Sequence, residues 1–280
     1  MSQPFRLNKE GLINRNKKIS FTFNGKKLFG YEGDTIASAL IANGIHLVGR
    51  SFKYHRPRGF FGAGVEEPNA KLQVEFNGHS EPNVNATEME LVEGLSATSQ
   101  NCWPSVNFDI GAINNFLKMF FPAGFYYKTF MWPKSFWYKI YEPFIRKAAG
   151  LGVASIEKDK ERYEHKFEYC DLLVTGSGPS GLASAYAAAK NGAKVILAED
   201  KPRFGGTLLT DDVSIDNLSG KDWAEKIITE LKSMPNVTVK NRSQVFGYYD
   251  HNMLVMFERV SDHLEKKSNF TPRQRLLSLI

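Results

Sequence analysis

Three glycines, Gly176, Gly178 and Gly181, stand in the spacing GxGxxG between an apolar run at 172–175 and an alanine-rich stretch at 180–190. A second apolar run, 195–198, ends at Glu199. The order is strand, tight turn, helix, strand, the setting in which this spacing can do chemistry. Gly176 suits the backbone angles of the turn. Gly178, without a Cβ, lets a pyrophosphate approach the main chain, and Gly181 lets the helix lie close on the strand. Pro179 and Ser180 open that helix, whose N-terminus offers N–H groups and a positive dipole end to phosphates. Glu199 follows Gly181 by 18 residues, near the spacing of about 20 expected of a ribose-binding acid. A carboxylate there accepts hydrogen bonds from ribose hydroxyls and repels a 2′-phosphate, which favours NAD or FAD over NADP. Gly205-Gly206 adds Gly206 to the same candidate site. A glycine turn that served packing alone would require neither the strand order nor the acid.

The elements around this motif extend the pattern. Asn191-Gly192 closes the helix, residues 221–234 carry Trp223, Ile227, Ile228 and Leu231 at helical spacing, and 237–240 reads as a third strand. Residues 245–249 and 253–260 read as a hairpin around Asp250-His251-Asn252. No strand is predicted beyond it, so the parallel sheet looks incomplete at Ile280. Upstream, 18–24 alternates apolar and polar residues, Asn24-Gly25 is a hairpin turn, and 27–31 returns. Asp34 is placed to cap a helix over 35–43, ended by Gly44. Residues 72–76, with Asn77-Gly78 as their turn, and 89–95 complete a β-grasp order. Residues 1–17 read as an extended arm. The fold class is therefore α/β and α+β: a ferredoxin-like β-grasp domain over 1–101, an aromatic-rich connecting arm over 102–168, and an incomplete Rossmann-type FAD/NAD(P)-binding domain over 169–280.

Composition narrows the function further. A net charge of +6 is spread as +2, +3 and +1 over residues 1–100, 101–170 and 171–280. A nucleic-acid binder concentrates its charge, so none is expected as a partner. Two cysteines, Cys102 and Cys170, allow neither a disulfide framework nor a zinc site. A plant-type [2Fe–2S] ferredoxin needs four, and residues 1–101 hold none. The β-grasp domain is therefore predicted to lack a cluster, and no metal site is expected. The N-terminus has no apolar signal core, and a cytoplasmic chain is expected.

Two stretches remain. Residues 49–70 interleave Arg50, Lys53, Arg56 and Arg58 with Phe52, Tyr54 and His55, a pattern that could bind phosphates or bases or be a solvated loop. Residues 103–144 are dense in aromatics, yet lysines and prolines interrupt them, so they do not form a transmembrane span. Large exposed aromatic patches normally mark interfaces, and an arm packed on a partner subunit is expected. Residues 151–168 read as a charged linker with a short helix, and His165 as a solvated side chain.

The segments GDTIASALIANG (33–44), LVGRSFKYHRPRG (47–59), EEPNA (66–70), TGSGPSGLASA (175–185) and LAED (197–200) resemble the α subunit of heterotetrameric sarcosine oxidase in its N-terminal region. The α subunits of hydroxyproline dehydrogenase, opine oxidase and cyanide synthase are similar, but more often keep cluster cysteines. The resemblance implies a subunit of an oxidoreductase that demethylates sarcosine to glycine, peroxide and a one-carbon unit for tetrahydrofolate. It implies NAD (or FAD) at the glycine motif, FMN and FAD in the assembled complex, and β, γ and δ subunits as partners. Tetrahydrofolate would bind a C-terminal region absent here, so the chain reads as a fragment, inactive alone. In this fold class the backbone near Val245 meets the adenine ring. No catalytic residue is expected in this chain.

Overall fold

The computed structural model describes residues 3–9, 11–76, 78–121, 123–124, 130–150, 152–265, 267–268 and 270–280. The chain divides into two compact units, Met1–Asp159 and Lys160–Ile280.

In the first unit, β1 (Asn14–Phe23) buries Ile19, Phe21 and Phe23 on one face, the alternation that selects a half-buried strand. Asn24 and Gly25 take positive φ and return the chain as β2 (Lys26–Glu32). Helix α1 (Ile36–Ala42) buries Ile36, Ala39 and Leu40 at helical spacing. A two-residue hairpin, β3 (Gly49–Arg50) and β4 (Pro57–Arg58), leads to β5 (Lys71–Phe76), β6 (His79–Asn85) and β7 (Ser96–Ser99). The sheet runs β2-β1-β7-β5-β6, with β1 and β7 parallel between antiparallel pairs, as a β-grasp requires. Asn77 of the expected β5–β6 turn lies outside the described residues; Gly78 takes a φ of 80°.

Several expectations need correcting here. The helix is capped by Thr35, whose hydroxyl accepts from the Ser38 N–H. Asp34 is instead buried, accepting from the Tyr31 N–H, the Ser38 hydroxyl and the Arg6 guanidinium. That ion pair, and Gln3 donating to the Phe29 carbonyl, dock part of the expected free arm. Residues 89–95 are not a strand. Leu91, Val92 and Leu95 are buried as irregular chain, and the last strand is β7. The aromatic segment belongs to the first unit and forms short turns at Ile110–Asn115, Lys118–Phe120 and Trp137–Tyr141 before α2 (Glu142–Ala149).

The second unit opens with β8 (Tyr163–Glu168), where the sequence suggested a linker, so residues 160–168 belong with the nucleotide motif. Then come β9 (Leu172–Thr175), α3 (Pro179–Lys190), β10 (Val195–Ala198), the hairpin β11 (Ser214–Ile215) and β12 (Leu218–Ser219), α4 (Gly220–Ser233) and β13 (Val237–Lys240). The sheet β13-β10-β9 is parallel throughout. Leu182 and Ala185 of α3 and Trp223, Ile227 and Leu231 of α4 cover one of its faces. A second sheet, β14 (Ser243–Tyr248), β15 (Leu254–Arg259), β16 (Gln274–Leu279) and β8, covers the other. Its Met256, Leu277 and Leu279 pack on Ile196 and Ala198. All four residues of β10 are buried, which is why VILA is apolar without alternation. The expectation of no strand after the hairpin is thus corrected. β16 pairs antiparallel with β15 and parallel with β8.

Candidate dinucleotide-binding site

The glycine turn sits where β9 hands over to α3. Gly176 takes a φ of 90° and its N–H donates to the Ala198 carbonyl at 2.7 Å, so the turn is tied to the end of β10. A Cβ on Gly176 or Gly178 would meet open space. A Cβ on Gly181 would overlap the Gly176 carbonyl oxygen, so this position admits only glycine without backbone movement. Gly178 caps α3 and Pro179 occupies its first turn. The first helical bond runs from the Leu182 N–H to the Gly178 carbonyl, leaving the Ser180 and Gly181 N–H groups ahead of the ladder. The cradle therefore fits a dinucleotide pyrophosphate: an open backbone surface on one side, helix donors on the other.

Glu199 is buried directly beneath this turn. Its Oε2 accepts from the Ser177 N–H at 2.8 Å and from the Ser177 hydroxyl. Its Oε1 accepts from the Lys201 N–H at 3.1 Å. The acid thus braces the glycine turn. Ser177 is fully buried, and its Oγ also accepts from the Gly205 N–H at 3.0 Å. Gly206, at a φ of 53°, follows, and a Cβ there would crowd the Gly178 Cα at 2.9 Å. Gly176, Gly178, Glu199 and Gly206 are therefore brought together as the sequence suggested. Ser177 is the residue sequence reasoning missed; the motif writes it as a variable position, and only the buried geometry gives it a role.

Val245 sits differently. It lies in β14 opposite Met256 and packs on the cluster of Ile196 and Ala198, and no described contact joins its side chain to the glycine turn.

Beside Glu199, Asp200 is half-buried. Burial, then the hydrogen bond and charge of Glu199, push its carboxyl up to about 6. Burial acts on Glu199 in the same direction, but hydrogen bonds from Asp200, Ser177 and Lys201 outweigh it and hold Glu199 below the usual carboxylate range.

In the first unit, Glu67 organises the loop before β5. Its buried carboxylate accepts from the N–H groups of Phe61, Gly62, Asn69 and Ala70. Burial would raise this group, yet those four donors hold it below its ordinary value.

A Rossmann-type turn, an acid at the end of the second strand and a covering second sheet define a nucleotide-binding domain of the flavoprotein kind. A family model described as FAD dependent oxidoreductase matches residues 171–254, and one described as a 2Fe-2S iron-sulfur cluster binding domain matches residues 16–102. The chain is 53% identical over 276 residues to "Sarcosine oxidase subunit alpha" of Rhizobium meliloti (strain 1021), covering 99% of this chain and 28% of that protein. It is 32% identical over 276 residues to "Sarcosine oxidase subunit alpha" of Corynebacterium sp. (strain U-96), covering 96% of this chain and 24% of that protein. The crystal structure of L-proline dehydrogenase from P. horikoshii superposes with a TM-score of 0.57 at 18% identity, covering 99% of this chain and 41% of that one, which establishes likeness of fold. The chain is a homologue of sarcosine oxidase α subunits and spans about a quarter of their length.

The cluster-binding description does not carry over to these residues. Residues 16–101 contain no cysteine, and Cys102 stands alone with its thiol pushed up by burial and by Asp109. Among the described residues no group of three or more His, Cys, Asp or Glu is placed to hold a metal. Also among the described residues, no helix is long and apolar enough to cross a membrane.

Proposed function

We propose that this chain is the nucleotide-carrying portion of the α subunit of a heterotetrameric sarcosine oxidase. The observation that carries the reading is the Ser177 brace, which packs the glycine turn, Glu199 and the Gly205-Gly206 turn into one open pyrophosphate cradle. The nucleotide proposed is NAD, with Gly176, Gly178, Pro179, Ser180 and Gly181 around the pyrophosphate. Glu199 takes the ribose, Gly206 lines the turn, and the backbone near Val245 lies toward the adenine. FAD fits the same motif, and the match to FAD-dependent oxidoreductases supports a flavin as the alternative occupant.

The proposed reaction of the whole assembly is oxidative demethylation of sarcosine to glycine, peroxide and a one-carbon unit for tetrahydrofolate. FMN, FAD and the β, γ and δ subunits belong to that assembly rather than to the residues described here. This chain's own part is to bind and orient a nucleotide, and none of its described side chains is assigned to the bond-breaking step. A cytoplasmic setting is part of the proposal and agrees with two free, half-buried thiols. A related secondary-amine oxidising subunit is the competing reading.

The test is calorimetry of the complete subunit with NAD and, separately, reconstitution of the apoprotein with FAD. Micromolar or tighter NAD binding that Glu199→Gln weakens supports the proposal. Stoichiometric FAD retention with no NAD binding replaces NAD by FAD. Sarcosine turnover by the purified assembly decides the substrate against other secondary amines.

A further inference from the structure

The basic and aromatic loop at 50–56 grips the aromatic segment. The Arg50 Nε donates to the Val106 carbonyl at 2.9 Å. The Lys53 carbonyl accepts from the Asn114 amide, and the Tyr54 hydroxyl donates to the Phe121 carbonyl at 2.7 Å. The Arg56 Nε donates to the Asn115 Oδ1. His55 is buried, with Nδ1 2.7 Å from the Asp109 Oδ2 and Nε2 3.3 Å from the Ala148 carbonyl. Gly111 lies against the imidazole so closely that a Cβ there would overlap it. Asp109 in turn caps Ile110–Asn115 and accepts from the Trp103 N–H. Six contacts of this kind tie the loop to described residues between Val106 and Ala148.

The aromatic segment itself is apolar and exposed. Trp103, Phe108, Phe116, Met119, Trp132 and Tyr138 all stand out of the surface, Phe116 at 84% and Trp132 at 83% exposure. Fixing aromatic side chains in water has no folding benefit, whereas concentrated exposed apolar surface is the mark of an interface. The charge around them has one sign. Lys118, Lys134, Lys139 and Lys147 are exposed, while the two acids of the described segment are engaged, Asp109 with His55 and Glu142 with Arg146. The shape also discriminates. Short turns pinned at fixed points present a rigid relief, which suits a preformed groove.

We infer that the described residues of 103–120, held by the 50–56 clamp, together with those of 130–144, form a docking surface for a second polypeptide that offers an apolar groove rimmed by carboxylates. This rests on the reading of the chain as a subunit of a larger assembly. Aromatic anchors supply the buried contact area, and the lysines steer and orient the partner. Arg50, Tyr54, His55 and Arg56 act as positioning residues.

The experiment uses the complete subunit, affinity-tagged in its native host, with a photo-crosslinking amino acid at position 116, 132 or 138. The expected result is crosslinks from all three positions to one co-purifying polypeptide, with crosslinked peptides rich in Asp and Glu. Crosslinks to the subunit's own chain or to lipid overturn the inference. So does a stoichiometric assembly whose partners never crosslink to these positions. If the subunit purifies with no partner, the assembly reading fails with it. The triple variant Lys118→Glu, Lys134→Glu, Lys139→Glu should leave the melting temperature unchanged and weaken partner binding about tenfold at low salt, since three exposed attractions become repulsions. Unchanged affinity overturns the charge complementarity. His55→Ala should also weaken the complex, although His55 touches no partner, and should raise protease sensitivity at 103–148 in the free subunit. Equal partner affinity with a loosened segment shows that the clamp does not serve docking.

Discussion

Ser177 carries more of the nucleotide site than its place in the motif suggests. It gives Glu199 two donors and receives the Gly205 N–H, all without solvent. Ser177→Ala leaves the Gly205 N–H with one acceptor fewer and removes a donor from a buried carboxylate. We expect a loss of about 1–3 kcal/mol in the stability of the second unit, the cost of unmaking a buried hydrogen bond, measured by urea denaturation. Asp200 adds a pH dependence with a definite sign. The folded chain holds this proton up to about 6, above the ordinary aspartate value of 3.8. The unfolded chain releases it earlier, so its contribution to stability is complete below that ordinary value and is lost as pH rises through about 6. Glu199 acts oppositely, its depressed value adding stability above its ordinary 4.5 that disappears on acidification. While protonated, Asp200 also occupies an acceptor position on Glu199 that a ribose hydroxyl would use. Nucleotide affinity should therefore rise between pH 5 and pH 7, and Asp200→Asn should flatten that profile in calorimetry. A wild-type profile that is already flat contradicts the assignment.

At the scale of elements, the close approach of α3 to the β9 turn is the feature most sensitive to a single methyl group. Gly181→Ala places a Cβ on the Gly176 carbonyl oxygen. We expect about 1–3 kcal/mol of destabilisation from overpacking, together with loss of nucleotide binding because the helix donors are pushed off the turn. Thermal melting of the variant with and without nucleotide checks both. In the first unit, Asp109→Ala leaves His55 buried without its carboxylate. The Trp103 to Ala148 path should then become protease-sensitive while the β-grasp core, with Leu40 and Leu72 fully buried, persists. The strand–turn–helix–strand and the Asn24-Gly25 hairpin were legible because local chemistry dictates them: glycine at positive φ, alanine in a thin helix, alternation on a strand. The elements that were not legible depend on distant partners. Tyr163–Glu168 alternates charge and looks like linker until it finds β16. Leu91, Val92 and Leu95 look like a strand because they are apolar, yet they serve as core plugs in irregular chain. Asp34 looked like a cap because it is acidic before a helix, but Arg6 arrives from the terminal arm and claims it. The basic loop at 50–56 left ligand binding and a solvated surface loop both open, for want of any sign that its partners lay in residues 106–148.

For the whole molecule, each unit has its own buried core, and the join between them falls in exposed chain at Asp159 and Lys160. Brief trypsin treatment should cut first at Lys158 or Lys160 and give two fragments near 18 and 14 kDa, roughly proportional to the lengths of the units. A single resistant 31.6 kDa band would contradict two separately packed units. The second unit also joins its ends. Leu279 lies beside Glu168, and the Cys170 N–H reaches the Ile280 carbonyl. This closure has a consequence on the ribosome. Strand β8 emerges 111 residues before its neighbour β16, several seconds at typical elongation rates of about 5–20 residues per second. Until then β8 has no pairing partner, and the inner face of β10 lacks Leu277 and Leu279. The β-grasp unit can complete itself co-translationally, while the nucleotide unit must wait with an open strand edge, which is the interval in which a nascent chain recruits a holdase or aggregates.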